Sequence, residues 1–248
     1  MPVYDISGNE IYSQGGGGGS SSPISDIFMQ TQLSAHKGGN ATTANTIANF
    51  EAGISNGYKI LEGDVRFTSD SVPVLSHDAS VGGYTIASYT YDELVELVPT
   101  IARLDDFLLL CKKSNVVAEL DFTKEYNQAQ CEVCYDTVKT CGMLSNTMFT
   151  AYESACRKLL NIDPKIVVCA STIDSTAKVD GIADIVEKAT LCVCSITYSS
   201  ASKTMIDYMH SHGCKCKPWT VNSAATINTL IGNGADYVIT DSVKPSQI

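Results

Sequence analysis

Two acids, Glu62 and Asp64, interrupt an apolar stretch over residues 59–67. Alternate side chains of a β-strand share a face, so both carboxylates point one way while Leu61 and Val65 point the other. At roughly 6–7 Å apart along the strand, the two charges repel by about 2–3 kcal/mol at an effective dielectric near 20. Burial without compensation adds a further desolvation cost for each ion. A cation held between them answers both costs, and Arg66 on the same face is the alternative partner. Residues 116–122 repeat the arrangement, with Glu119 and Asp121 on one face and Ala118, Leu120 and Phe122 on the other. His36 and His77 add two imidazoles close to the ends of apolar runs. Imidazoles beside several carboxylates suit metal-assisted phosphoryl chemistry. Hard oxygen ligands select Mg²⁺ or Ca²⁺ over zinc. Such a cation neutralises a phosphoryl oxygen while histidines move protons on either side of phosphorus.

These groups act together only if the fold gathers them. Short apolar runs at 32–36, 59–67, 116–122, 147–150, 165–170, 191–195, 215–220 and 237–240 read as strands. Between them, helical patterns lie at 46–56, 105–113, 128–141, 153–161, 175–188, 203–212 and 224–232. Asn222 or Ser223 can cap the last helix, and Gly213 and Gly234 follow helices where a left-handed C-terminal residue is wanted. Strands separated by helices pair in parallel, and eight of them predict a (β/α)8 TIM barrel. An insertion at 68–99 follows strand 2, with a hairpin ending at His77 and a short helix at 91–98. In such barrels chemistry gathers at the C-terminal strand ends. Those ends hold His36, Glu62, Asp64, His77, Glu119, Asp121, Trp219 and Asp241.

Residues 1–23 are expected to be a flexible tail whose Gly/Ser-rich run links residues 24–248, the barrel, to a larger assembly. The formal charge of −10 disfavours nucleic acid and anionic membranes as partners. No apolar run is long enough for a transmembrane helix. The absence of a basic, apolar leader and the ten cysteines, read as reduced and packed in the core, predict a cytoplasmic protein, with display on a phage or surface particle as the alternative.

Several blocks occur together in order: His36-Lys37-Gly38, Asn45-Thr46, Leu61-Glu62-Gly63-Asp64-Val65, Thr68-Ser69-Asp70, Val72-Pro73-Val74, His77-Asp78, Trp219-Thr220-Val221-Asn222 and the run from Gly234 to Asp241. In this the chain resembles the glycerophosphodiester phosphodiesterase family. The resemblance implies hydrolysis of a small-molecule glycerophosphodiester to glycerol 3-phosphate and an alcohol, as in lipid and glycerol metabolism, with one divalent cation, Mg²⁺ or Ca²⁺. It implies Glu62, Asp64 and Glu119 as metal ligands and His36 and His77 as the acid/base pair, through a cyclic phosphate; which of the two is the base stays open, with His36 preferred. Lys37, Asp121 and Trp219 are expected to meet the substrate, with Asp121 as an additional metal ligand or a shift of the metal toward it as the alternatives. Three positions depart from the family pattern: Lys37 replaces an arginine, Ala44 an acid, and Asp121 a lysine. A sphingomyelinase D-like lyase and a non-catalytic glycerol-phosphate-binding module are the alternatives.

Overall fold

In the computed structural model, residues 24–248 are described, together with the backbone of Val3–Tyr4 and Glu10–Tyr12, which pair antiparallel. The expected flexible tail otherwise lies outside the described residues.

Eight strands form the central sheet: β1 (Gln32–Ala35), β2 (Ile60–Phe67), β3 (Val117–Phe122), β4 (Thr147–Ala151), β5 (Val167–Ala170), β6 (Leu191–Thr197), β7 (Cys214–Trp219) and β8 (Tyr237–Thr240). Each pairs in parallel with its chain neighbour from β1 to β7, and β8 pairs with β1. This is the order of a (β/α)8 barrel. The seam lies between β7 and β8, where Asp236 N–H donates to Cys216 O (3.0 Å) and Val221 N–H to Ile239 O (2.8 Å). Cys216 turns its backbone toward β8, and so must Pro218 two residues on. Proline has no N–H to offer, which interrupts the ladder there.

Around the sheet lie α1 (Ile47–Ser55), α2 (Tyr91–Leu97), α3 (Leu104–Ser114), α4 (Gln128–Thr140), α5 (Glu153–Ile162), α6 (Thr176–Asp180), α7 (Ala183–Lys188), α8 (Lys203–Ser211) and α9 (Ala224–Gly232). One helix was expected over 175–188. Two form, because Gly181 ends the first, and glycine is a poor interior helix residue.

Alternation sorts the strand residues into two cores. Leu61, Val65, Ala118, Leu120 and Phe122 pack outward against the helices. Ile60, Val117, Met148, Val167, Val193 and Tyr237 fill the barrel's lower interior, where Phe28 closes the bottom and accepts a 2.6 Å bond from Tyr237 Oη. All ten cysteines are buried and free, as expected of packed thiols.

The insertion folds back on β2. Pro73–Leu75 pairs antiparallel with β2 and then with Ala102–Arg103, and this delivers Ser76 and His77 to the barrel mouth. A small cluster of Val74, Ile86, Leu94 and Ile101 holds α2 and the hairpin Ser80–Val81/Tyr84–Thr85 together. Tyr84, Tyr89 and Tyr91 pack against that cluster.

Candidate active site

The polar side chains of the barrel interior stand in layers above the apolar floor. Register places Glu62 beside Glu119 and, one layer nearer the mouth, Asp64 beside Asp121. Alternation along β2 and β3 keeps all four inside.

In the deeper layer Glu119 is fully buried and already paired. It forms an ion pair with the equally buried Lys217 of β7 and accepts hydrogen bonds from Thr150 Oγ1 (2.8 Å) and Ser34 Oγ (2.9 Å). Glu119 had been expected as the third metal ligand, but both of its oxygens are engaged in this layer. The cluster that could hold a cation is instead Glu62, Asp64 and Asp121. Oxygens of these three lie within 4.8 Å of one another, the only such group among the described residues. Asp121, expected to meet substrate or to add a ligand, stands in this group.

Each acid of this trio has a defined support. Glu62 is buried; Oε2 accepts from Lys37 N–H (2.7 Å), while the equally buried Oε1 has no hydrogen-bond partner among the described residues. Asp64 is held by Asn45, which donates from Nδ2 to Oδ2 (2.8 Å) and accepts the Asp64 N–H at Oδ1 (3.0 Å). Asn45 takes φ 61°, a left-handed conformation that asparagine tolerates better than most residues. Burial, reinforced by Asp64 and Asp121, pushes the Glu62 carboxyl well above the usual carboxylate range. Burial and Asp64 push Asp121 up to about 7. Three carboxylates, one with an unpartnered buried oxygen, make a donor set that fits a hard divalent cation.

The turn after β1 brings His36 to the same cavity. His36 Nδ1 lies 2.6 Å from Asp241 Oδ1, and Asp241 in turn accepts from Asn222 Nδ2 (2.7 Å) and donates its N–H to Asn222 Oδ1 (2.8 Å). Burial lowers the imidazole's pKa, against the opposing pull of Asp241. His77 is more open, with Nδ1 2.8 Å from Asp78 Oδ1. Arg66, the alternative partner for the acids, points elsewhere, donating from Nε and Nη2 to the His77 carbonyl.

His36, Glu62, Asp64, His77, Asp121 and Trp219 all line one cavity of ≈ 380 Å³ at the barrel mouth. Lys37 lines an adjoining cavity with His77 and Asp241. Lys217, Asn45 and the latch of Asn222 on Asp241 were not singled out as site residues from the sequence. Strand parity carried a signal for Lys217: it lies two residues before Trp219 and so shares its inward face.

The fold and this constellation define a barrel phosphodiesterase. The glycerophosphoryl diester phosphodiesterase family model matches residues 36–244, and the chain belongs to that family, whose members hydrolyse glycerophosphodiesters. Solved structures similar to it include an Oleispira antarctica phosphodiesterase in complex with the product sn-glycerol-3-phosphate. It is 18% identical, with a TM-score of 0.74, covering 86% of this chain and 94% of that one. A glycerophosphodiester phosphodiesterase from Parabacteroides distasonis is 22% identical, with a TM-score of 0.72 and coverage of 86% and 93%. One from Thermotoga maritima is 18% identical, with a TM-score of 0.68 and coverage of 85% and 94%. No curated protein sequence matches the chain significantly.

Proposed function

We propose that the chain hydrolyses glycerophosphodiesters to glycerol 3-phosphate and an alcohol at the central cavity, with one Mg²⁺ or Ca²⁺ held by Glu62, Asp64 and Asp121. The supporting observation is the convergence there of two imidazoles, each against a carboxylate, with three further carboxylates. Bound there, the cation supplies charge neutralisation for a phosphoryl oxygen.

The protein's own groups divide the proton work. Asp241 accepts from His36 Nδ1–H, which leaves the Nε2 lone pair as the base. His36 takes the proton of the glycerol 2-hydroxyl as that oxygen attacks phosphorus, and the bond from phosphorus to the leaving oxygen breaks. His77 delivers a proton to the leaving alcohol from Nε2, because Asp78 holds Nδ1. Water then opens the cyclic phosphate with the two roles exchanged, giving glycerol 3-phosphate. Lys37 N–H holds Glu62 while its side chain helps line the adjoining cavity, and Trp219, 37% exposed, forms one wall of the central one.

Release of glycerol 3-phosphate from glycerophosphocholine or glycerophosphoglycerol, with and without chelator, tests the reading. Turnover surviving unchanged in His36→Ala or Glu62→Gln would overturn it. A cyclic phosphate as the final product, seen by phosphorus NMR, would assign a lyase instead. Ten buried free thiols support a reducing compartment, and no helix among the described residues is long and apolar enough to cross a membrane. The Gly/Ser run of residues 15–22 supports a tether to a larger assembly.

A further inference from the structure

A second cavity of ≈ 310 Å³ adjoins the central one and shares Arg66 and Ala79 with it. It runs between the insertion and the first turn of α4. Its polar lining includes Arg66, Lys124, Thr68, Asn127 and Gln130, and no aspartate or glutamate. In a chain of formal charge −10, a mouth groove lined by two cations and no acid is an exception.

Neither cation is held in an ion pair. Among the described residues, no carboxylate lies within ion-pair distance of Arg66 or Lys124. Arg66 uses Nε and Nη2 on the His77 carbonyl, so its fork is fixed in direction with Nη1 remaining. Lys124 is exposed and lies 6.0 Å from the Tyr126 ring centre. The 13-residue α4 starts here behind its Asn127 cap, and its positive end adds to the same field. Asp78, an acid of the central cavity that also feels Arg66, is held against His77. Quaternary ammonium alcohols favour aromatic faces and carboxylates, whereas two unpaired cations favour an anion.

We infer that this groove is a subsite for a second anionic group, so that the favoured substrates are glycerophosphodiesters whose alcohol itself bears a phosphate. The inference rests on the reading of the central cavity as the phosphodiester site. With the reacting phosphorus over Glu62, Asp64 and Asp121, the alcohol extends past Arg66 and places its distal phosphate between Arg66 and Lys124.

The test compares kcat/KM for glycerol 3-phosphate release from two substrates: glycerophosphocholine and a glycerophosphoglycerol phosphorylated on its distal glycerol. The expected preference for the phosphorylated substrate is about tenfold at low salt, narrowing as salt screens the groove. Lys124→Glu, on an exposed side chain, is expected to cut the ratio of the two values at least several-fold, and Lys124→Gln by less. A ratio that is the same in wild type and Lys124→Glu, and insensitive to salt, would overturn the subsite. Absence of turnover on both substrates would instead overturn the catalytic reading, and the subsite with it.

Discussion

Glu119 and Asp121 show how two residues of one face take different work when a layer separates them. Glu119 meets Lys217 and two hydroxyls in the buried layer, whereas Asp121 stands at the half-buried rim beside Glu62 and Asp64. Removing one partner of a buried pair leaves an uncompensated charge, at a cost of about 3–5 kcal/mol. Glu119→Gln is therefore expected to lower Tm by on the order of 10 °C, while calorimetry still finds the divalent cation bound. Asp121→Asn is expected to do the reverse, losing cation binding with little loss of Tm. If Glu119→Gln lost the cation and Asp121→Asn kept it, the third ligand would be Glu119. His36 supplies a pH prediction at the same scale. Its pKa is lowered, so it stays neutral and able to accept a proton below pH 6.5, and the acid limb of kcat/KM lies below that pH. Asp241 pulls the imidazole's pKa upward, so Asp241→Asn moves the limb to still lower pH. The same change frees the imidazole tautomer, and kcat is expected to fall by roughly 10²–10⁴. A pH–rate profile of the variant reads both effects.

At the scale of elements, the turn after β1 and the folded-back insertion carry the histidines. Lys37 and Gly38 have φ 53° and 95°, and this turn presents the Lys37 N–H to Glu62. A Cβ at Gly38 would lie 2.6 Å from Asn49 Nδ2, a group already bonded to the Lys37 and Asn40 carbonyls. Gly38→Ala is expected to cost about 1–2 kcal/mol from the backbone conformation alone and to weaken cation binding by displacing the Lys37 N–H. Thermal melts with and without the cation check both, and an unchanged cation-dependent rise in Tm would separate the turn from the site. Asn222 shows the limit of reading caps locally. Ser223 takes the cap of α9, accepting from Thr226 N–H, and Asn222 is freed to latch Asp241.

For the whole molecule, the excess of acids and their convergence at one mouth are expected to make stability depend on pH and on cation binding. Glu62 and Asp121 have pKa values raised above those of the unfolded chain. The folded state then binds more protons than the unfolded state between about pH 4 and 7, and the cation-free protein loses stability as pH rises through that window. Above it, Lys217, lowered to about 7 by burial, acts in the opposite sense. Saturating Mg²⁺ or Ca²⁺ binds the deprotonated acids and is expected to flatten the decline, adding about 2.7 kcal/mol at a hundred times Kd. Denaturant melts at pH 5 and pH 7, with cation and with chelator, measure this, and an unfolding free energy indifferent to chelator at pH 7 would count against the site.

The alternation of strands and helices, the inward face of each strand and the acids upon it were legible in the chain, because they depend on periodicities of two and 3.6 residues that burial enforces locally. Leu61 and Val65 lie outward and Glu62 and Asp64 inward for that reason alone. Which inward acids share a layer was not legible, because it depends on register between strands and on what arrives from across the barrel. Lys217 is 98 residues from Glu119 in sequence, and Asp241 is 205 from His36. Only closure of the sheet brings a lysine of β7 under the mouth to neutralise one glutamate, and so leaves a neighbouring aspartate to complete the trio.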